Sequence, residues 1–213
     1  MLSGVVRILN AIFEKITYCA LVCMDRVTSL DFHEMDRTFS GDGYIYECTH
    51  PRIMLQLARI CRRAKTSDAM LDVGCGKGRM LAFFSRYRFR AVDGVEYDGR
   101  LAAVAARNIH RLGLESKVFY EDARQFSHWE AYNWFYFYNP FPGHVMEACL
   151  RGITRSAKTR PRRIVILYAN PTCHHLLLTF GFQEQPFAQT IVEQIWHPYL
   201  SVLKMYVWNT SDA

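Results

Sequence analysis

A glycine-rich segment in the first half of the chain has the residue types that hold a nucleoside-like cofactor. Asp72 stands at the end of a short apolar run, and Gly74, Gly76 and Gly78 follow it before a second apolar segment begins. Glycine tolerates a positive φ and has no Cβ, so a ligand can lie directly against its backbone. The N–H groups at the start of the next helix would point at that ligand. The spacing therefore predicts a strand, a tight turn and a helix start around a cofactor pocket.

A second acid narrows the kind of ligand. Glu96 ends the next apolar run, 24 residues after Asp72. A carboxylate at the end of that strand accepts hydrogen bonds from ribose hydroxyl groups. The glycines are spaced Gly-x-Gly-x-Gly, whereas pyrophosphate-binding turns have Gly-x-Gly-x-x-Gly, and Asp72 would repel a phosphate. The two acids therefore favour a ribose-bearing, cationic cofactor without a 2′-phosphate.

A third segment that could take part in a reaction is Asn139-Pro140-Phe141-Pro142, which follows a run of aromatic residues. Its two prolines restrict the backbone, and the side-chain oxygen of Asn139 can accept a hydrogen bond from an amine or amide. A purely structural strand-to-helix turn is the alternative.

The segment from Asp72 to Gly78 resembles motif I of the class I S-adenosylmethionine-dependent methyltransferases, and Glu96 stands where these enzymes have their ribose-binding acid. Their cofactor carries an ammonium, a carboxylate and a sulfonium but no phosphate. The chain is most similar to poorly characterised bacterial members with the motifs GCGKGR, GVEY and YNPF. The resemblance implies an α/β fold with a Rossmann-like sheet of order 3-2-1-4-5-7-6, in which the last strand is antiparallel.

The resemblance also implies roles for single residues. Asp122 is similar to the acid of motif II, which accepts a hydrogen bond from the adenine amine; an aspartate that caps the next turn is the alternative. Asn139-Pro140-Phe141 resembles motif IV of amino-methylating enzymes, although Phe141 replaces their second proline. The implied catalytic residues are Asn139, Pro140 and Phe141. The implied cofactor-binding residues are Thr49, Asp72, Gly74, Cys75, Gly76, Gly78, Glu96, Tyr97, Asp122, Ala123 and Asn139.

Alternating strands and helices must bring these residues to one edge of a sheet. Two runs near the C-terminus, joined by only four residues, predict an antiparallel hairpin, because a parallel crossover needs a longer connection. The predicted strands are 69–73, 91–96, 117–120, 134–138, 162–168, 190–196 and 201–208. The predicted helices are 50–63, 79–87, 98–112, 144–155 and 173–180, with Asp98 as an N-cap.

The N-terminal region has a different character. Apolar residues recur at helical spacing over residues 1–24, while Arg7, Glu14 and Lys15 interrupt them, so an amphipathic helix is expected and not a signal peptide or membrane span. This helix could cap the domain, form a dimer contact or lie on a membrane surface. A polar stretch up to residue 49 is expected to be a lid-like loop or a connector. We therefore predict a helix and lid-like loop over 1–44 and a methyltransferase domain over 45–213.

Composition bears on the cellular compartment, on metal binding and on nucleic-acid binding. The 213 residues include seven scattered cysteines without a Cys-x-x-Cys pair, which indicates reduced thiols in the cytoplasm. His174 and His175 are adjacent on a predicted helix and point in different directions, so no metal site is expected. The net charge of +6 comes largely from basic clusters, which either attract nucleic acid or are solvated helix ends.

These observations favour an S-adenosylmethionine-dependent methyltransferase. A short chain without an appended recognition domain favours a nitrogen or oxygen of a small molecule or protein side chain as the methyl acceptor. A nucleic-acid amino-methyltransferase, a dinucleotide-dependent oxidoreductase and a non-catalytic cofactor-binding module remain as alternatives. The sequence does not indicate an oligomeric state.

Overall fold

Seven strands form one sheet in the computed structural model, which describes residues 19, 23–32, 48–138, 141–187 and 203–209. The sheet order is β3-β2-β1-β4-β5-β7-β6, and β7 runs antiparallel to both of its neighbours. This order confirms the predicted one. The strands are β1 Ala69–Val73, β2 Ala91–Glu96, β3 Val118–Tyr120, β4 Trp134–Tyr138, β5 Ile164–Ala169, β6 Gln183–Gln185 and β7 Leu203–Trp208.

Helices cover both faces of the sheet, and local sequence signals define their ends. The side chain of His50 accepts a hydrogen bond from the N–H of Arg52, and Pro51 follows it at the first helical position. Asp98 caps a later helix by accepting from the N–H groups of Arg100 and Leu101, as predicted. The helices are α1 Pro51–Cys61, α2 Arg79–Phe84, α3 Gly99–Arg111, α4 Gly143–Thr159 and α5 His174–Thr179, with a 3₁₀ turn at Trp129–Ala131.

The core has two layers, one on each side of the sheet. Phe135 and Phe137 of β4 face α4, and Trp134 and Tyr136 of the same strand face α1 and α2. Strands that are buried on both faces lack polar alternation. This is why a continuous aromatic run was recognisable as a strand.

One close contact fixes α4 against the 3₁₀ turn at Trp129–Ala131. A Cβ atom built on Gly152 would lie only 2.4 Å from Nε1 of Trp129. Trp129 is buried, and its ring packs edge-on against Phe126 at a centroid distance of 4.9 Å. Gly152 therefore lets the helix approach this ring.

Several predicted boundaries were wrong. Helix α2 ends three residues earlier than expected, and α4 continues to Thr159. Residues 23–28 are helical, so this helix continues four residues beyond the predicted end at residue 24, into the segment predicted as a loop. A strand at Gln183–Gln185 was not predicted, because a short edge strand pairs through its backbone and can be polar throughout. The predicted strand 190–196, its connection 197–200 and most of the predicted helix 1–24 lie outside the described residues.

No helix in the described part of the chain combines the length and the apolar character that a membrane span requires.

Candidate functional site

The glycine turn between β1 and α2 has the backbone that its sequence predicts. Gly74, Gly76 and Gly78 have φ values of 83°, 54° and 80°, which lie in the left-handed region. The N–H groups of Gly74 and Cys75 both donate to the carbonyl of Val95, at 2.9 and 3.0 Å. The turn is thereby fixed over the ends of β1 and β2.

Glu96 also holds this turn. One carboxylate oxygen accepts from the N–H of Gly76 at 2.7 Å, and the other accepts from the N–H of Asp98 at 2.9 Å. Burial raises the pKa of Glu96, and these two N–H groups partly oppose that rise. Each carboxylate oxygen has a second acceptor site, so Glu96 can still bind a hydroxyl group.

Asp72 is the unusual group of the site. Its residue is only 3% exposed, yet no described residue donates a hydrogen bond to its carboxylate or pairs with it as a cation. Burial raises the pKa of Asp72 well above the ordinary value, and the charge of Glu96 adds to this. Buried carboxylates are normally paired, because an unpaired one loses its hydration without compensation. A cationic ligand group beside Asp72 would supply the missing partner.

A cluster that sequence analysis did not identify connects the N-terminal segment to the turn. The Asn108 side chain forms two hydrogen bonds with the backbone of Asp31, at 2.9 and 3.2 Å, and donates to the carbonyl of Lys77 at 3.0 Å. Lys77 Nζ lies 2.6 Å from the carboxylate of Asp31. The only sequence signal was a polar residue, Asn108, within the buried stripe of α3. Residues 23–32 are therefore docked beside the glycine turn.

Thr49 contacts the protein core. Its hydroxyl lies 2.9 Å from the hydroxyl of Tyr136, and its carbonyl accepts from the guanidinium of Arg79 at 2.7 Å. Thr49 is buried. These contacts fix the entry of the chain into α1 next to β4, which is a structural role in addition to the predicted cofactor contact.

Asp122 forms the local contacts of a turn-capping aspartate. Its carboxylate accepts from the backbone N–H of Arg124 at 2.9 Å and pairs with the Arg124 side chain at 2.6 Å. The hydrogen bonds from Arg124 lower the pKa of Asp122. Ala123 is buried beside it, while Tyr97, after Glu96, is half-exposed. The order β3-β2-β1 places these residues along the same sheet edge as the glycine turn.

The segment after β4 is described only in part. Asn139 and Pro140, two of the three predicted catalytic residues, lie outside the described residues. Phe141 is buried, and its ring packs edge-on against Phe137 at a centroid distance of 6.1 Å. Its observed contacts are therefore those of a core residue.

Thiols and imidazoles show no metal-binding arrangement in the described part of the chain. No group of three His, Cys, Asp or Glu residues there is placed to hold an ion. Nδ1 of His174 instead lies 2.6 Å from the hydroxyl of Tyr206. All seven cysteines are free thiols.

The sequence matches no protein-family model and no curated protein. Among solved structures, it is similar to an rRNA methylase from Streptococcus thermophilus, with 13% identity and a TM-score of 0.51 over 77% of this chain and 98% of that chain. A ribosomal protein L11 methylase from Lactobacillus delbrueckii subsp. bulgaricus matches with 8% identity and a TM-score of 0.53, over 75% of this chain and 78% of that chain. A mutant of MtNAS in complex with S-adenosylmethionine matches with 17% identity and a TM-score of 0.54, over 74% of this chain and 61% of that chain. At these identities the likeness concerns the fold.

Proposed function

We propose that this chain, which has the class I methyltransferase fold, binds S-adenosylmethionine at the turn between β1 and α2 and transfers its methyl group to an acceptor. The buried carboxylate of Asp72, which has no partner among the described residues, carries this proposal, because it calls for a cation beside three left-handed glycines. S-adenosylmethionine has an ammonium group and no phosphate. The fold supports the proposal, since one structural neighbour is a complex with this compound.

Each part of S-adenosylmethionine has a candidate binding residue among the described residues. Asp72 would pair with its ammonium group, and the N–H groups of the glycine turn would face its carboxylate. Glu96 would accept from the ribose, and Asp122 with Ala123 would contact the adenine edge. When bound, S-adenosylmethionine supplies a methyl group on a positively charged sulfur, which an acceptor atom displaces. The protein then has to orient the acceptor and exclude water, and such positioning contributes roughly 7–11 kcal/mol in favourable cases.

The acceptor side of the proposal rests on the sequence of the segment after β4. We place the acceptor nitrogen or oxygen next to Asn139, Pro140 and Phe141, in a small molecule or a protein side chain, with a nucleic-acid amine as the alternative. The side-chain oxygen of Asn139 would accept from the target N–H and so offset the positive charge that builds up on nitrogen. A lysine acceptor would first have to lose a proton, because its ordinary pKa is about 10.4.

The free cysteines bear on where this chemistry would take place. Seven thiols without a disulfide are typical of a reducing compartment. We therefore propose a cytoplasmic location.

Two measurements test the function. Isothermal calorimetry with S-adenosylhomocysteine and with NAD separates a methyltransferase from a dinucleotide-dependent oxidoreductase, and we expect binding of the first compound alone. Incubation of the protein and methyl-labelled S-adenosylmethionine with cell extract, followed by separation into protein, RNA and small-molecule fractions, then identifies the acceptor class. Binding of S-adenosylhomocysteine without transfer to any fraction would indicate a non-catalytic module.

Replacement of Glu96 by alanine should weaken S-adenosylhomocysteine binding by at least about tenfold, since hydrogen bonds to charged groups contribute roughly 1.5–3 kcal/mol each. The same change leaves the N–H groups of Gly76 and Asp98 without their acceptor, so thermal stability should also fall. Calorimetry below the unfolding transition measures the affinity. Glu115→Ala, at an exposed acid beyond α3, is the matched control and should bind normally. Unchanged affinity in Glu96→Ala would refute the ribose contact.

S-adenosylhomocysteine should bind more tightly as the pH rises. Because the pKa of Asp72 is raised in the free protein, this carboxyl holds its proton above the ordinary range of an aspartate. An ammonium group beside it would favour the ionised form and lower the pKa, so binding releases a proton. The affinity for S-adenosylhomocysteine should rise by up to about tenfold per pH unit and level off above the pKa that Asp72 has in the free protein. Calorimetry in two buffers of different ionisation enthalpy counts the released protons, and zero release at every pH above the ordinary titration range of an aspartate would contradict the pairing.

A further inference from the structure

An open groove of about 710 Å³ lies near the edge of the sheet opposite the glycine turn. One wall is the C-terminal half of α4, and the other is the end of α5 with Gly181 and Trp208. Trp208 pairs with Ile164 at the start of β5, whereas the glycine turn follows the end of β1. We call this feature the basic groove, after Arg151, Arg155 and Lys158, which line it from α4.

The described residues leave the positive charge of the basic groove largely uncompensated. Between Glu147 and Glu184 the sequence has six arginines and lysines and no acidic residue. Arg155 and Lys158 are exposed, and their side chains form no ion pair or hydrogen bond with the described part of the chain. Arg151 pairs with Glu147 on the exposed surface. A helix C-terminus carries only about half a negative charge, so it does not neutralise this cluster.

Trp208 adds an unpaired donor to the same groove. The residue is only 4% exposed, and its indole N–H forms no hydrogen bond with any residue that the structure describes. Gly181 has a φ of 83°, and a Cβ built on it would lie 3.5 Å from this nitrogen. An indole N–H can only donate, and Trp208 lies in the wall of the groove. A ligand with oxygen acceptors could therefore accept a hydrogen bond from it.

Three threonines add hydrogen-bond acceptors to the groove. The hydroxyls of Thr154, Thr159 and Thr179 each donate to a carbonyl of their own helix, at 2.8, 3.1 and 3.0 Å. Their free lone pairs are therefore what they can offer to a ligand in the groove. An acidic polypeptide carries its acceptors on side chains and its donors mainly on the backbone, whereas a ribose–phosphate backbone has 2′-hydroxyl donors for the threonines next to phosphate oxygens for the cations.

We propose that the basic groove binds a strand of RNA through its ribose–phosphate backbone. Arg151 and Lys158 are seven residues apart on α4, which spreads the cations over about 10 Å and favours several phosphates over a single one. Arginine suits this ligand, because its planar guanidinium can form two parallel hydrogen bonds to one phosphate. The contact does not depend on methyl transfer, since the groove and the glycine turn lie at opposite edges of the sheet.

Fluorescence anisotropy with a labelled oligouridylate tests this surface. The double variant Arg155→Ala/Lys158→Ala should lose at least about tenfold in affinity, and the slope of log K against log salt should decrease by about 1.4, which corresponds to two lost phosphate contacts. Trp208→Phe keeps an aromatic ring but removes the indole N–H donor, so this variant should also bind the oligouridylate more weakly. The matched control is Arg62→Ala/Arg63→Ala, an exposed basic pair after α1, which should bind as the unmodified protein does. Unchanged S-adenosylhomocysteine binding in every variant would show that the fold and the proposed cofactor site are intact.

Four outcomes would overturn the proposal. The first is the absence of saturable RNA binding near physiological salt, and the second is an equal loss of affinity in the control pair. Competition by polyglutamate as strong as that by RNA would identify an acidic protein as the partner. Equal affinity for the corresponding deoxyribonucleotide would exclude recognition of the 2′-hydroxyl group. All four leave the proposed methyl transfer untouched, because RNA binding is measured without cofactor.

Discussion

Replacement of Asp72 by asparagine should stabilise the empty protein and at the same time weaken cofactor binding by at least about tenfold. The asparagine keeps the shape of the side chain but removes a buried charge that has no partner among the described residues. We expect the free energy of unfolding to rise by about 1–3 kcal/mol. A charged partner for the ligand ammonium contributes roughly 1.5–3 kcal/mol, so S-adenosylhomocysteine should bind about 10- to 150-fold more weakly.

The pH dependence of this stabilisation provides a second check. A carboxyl group whose pKa is raised by folding destabilises the protein progressively as the pH rises above its unfolded value of about 3.9, and fully above the folded value. The increase in the free energy of unfolding caused by Asp72→Asn should therefore be present at neutral pH and disappear near pH 4. Urea unfolding at the two pH values measures it.

Asp93 offers the matched control on the neighbouring strand. It is also buried, but its carboxylate accepts from the hydroxyl of Tyr132 and the N–H of Lys117, each at 2.7 Å. Asp93→Asn should therefore destabilise the protein and leave the affinity for S-adenosylhomocysteine unchanged. Similar effects of the two substitutions on stability and binding would show that Asp72 is an ordinary structural acid.

Replacement of Gly152 by alanine should lower the free energy of unfolding by about 1–3 kcal/mol, although alanine normally favours a helix over glycine. The new Cβ would overlap Nε1 of Trp129, and that ring is confined by Phe126 and Phe135. For a chain of this size, the melting temperature should drop by roughly 2–4 °C per kcal/mol. Differential scanning calorimetry measures the shift.

Gly143 is the control for this substitution within the same helix. Its nearest side-chain atoms would lie 3.8 and 3.9 Å from an added Cβ, which is ordinary van der Waals contact. Gly143→Ala should therefore be neutral or slightly stabilising. If both alanine variants melted at the same temperature as the unmodified protein, the packing of α4 on Trp129 would be less restrictive than the structure shows.

The central strands were predictable because their burial leaves a direct mark on composition. Strands β1, β2 and β4 begin and end at the predicted residues, since both of their faces are covered and the chain around them changes character sharply. The edge strand Gln183–Gln185 has no apolar run that would predict it, because it is held by backbone pairing alone. The length of α4 was underestimated because its last turns are basic and its apolar stripe is thin there.

For the site, the sequence identified the local geometry and missed the contacts between distant segments. Positive φ values at Gly74, Gly76 and Gly78 follow from residue type, and the acids at 72 and 96 follow from their places at strand ends. That Glu96 holds the turn itself could not be predicted, because the contact depends on the distance between two loops. The absence of a described partner for Asp72 is likewise a property of the folded chain.

The link between Asp31 and Asn108 has a consequence for the order of folding. The two residues are 77 positions apart in the chain, so their contact closes a long loop, and the entropy of that closure opposes its early formation. Contacts within β1, α2 and β2 span far fewer residues and can form sooner. The N-terminal segment should therefore settle beside the glycine turn late, after the nascent sheet has already assembled. On a ribosome, which delivers the N-terminus first, the contact can form only after the chain as far as Asn108, 77 residues beyond Asp31, has been synthesised.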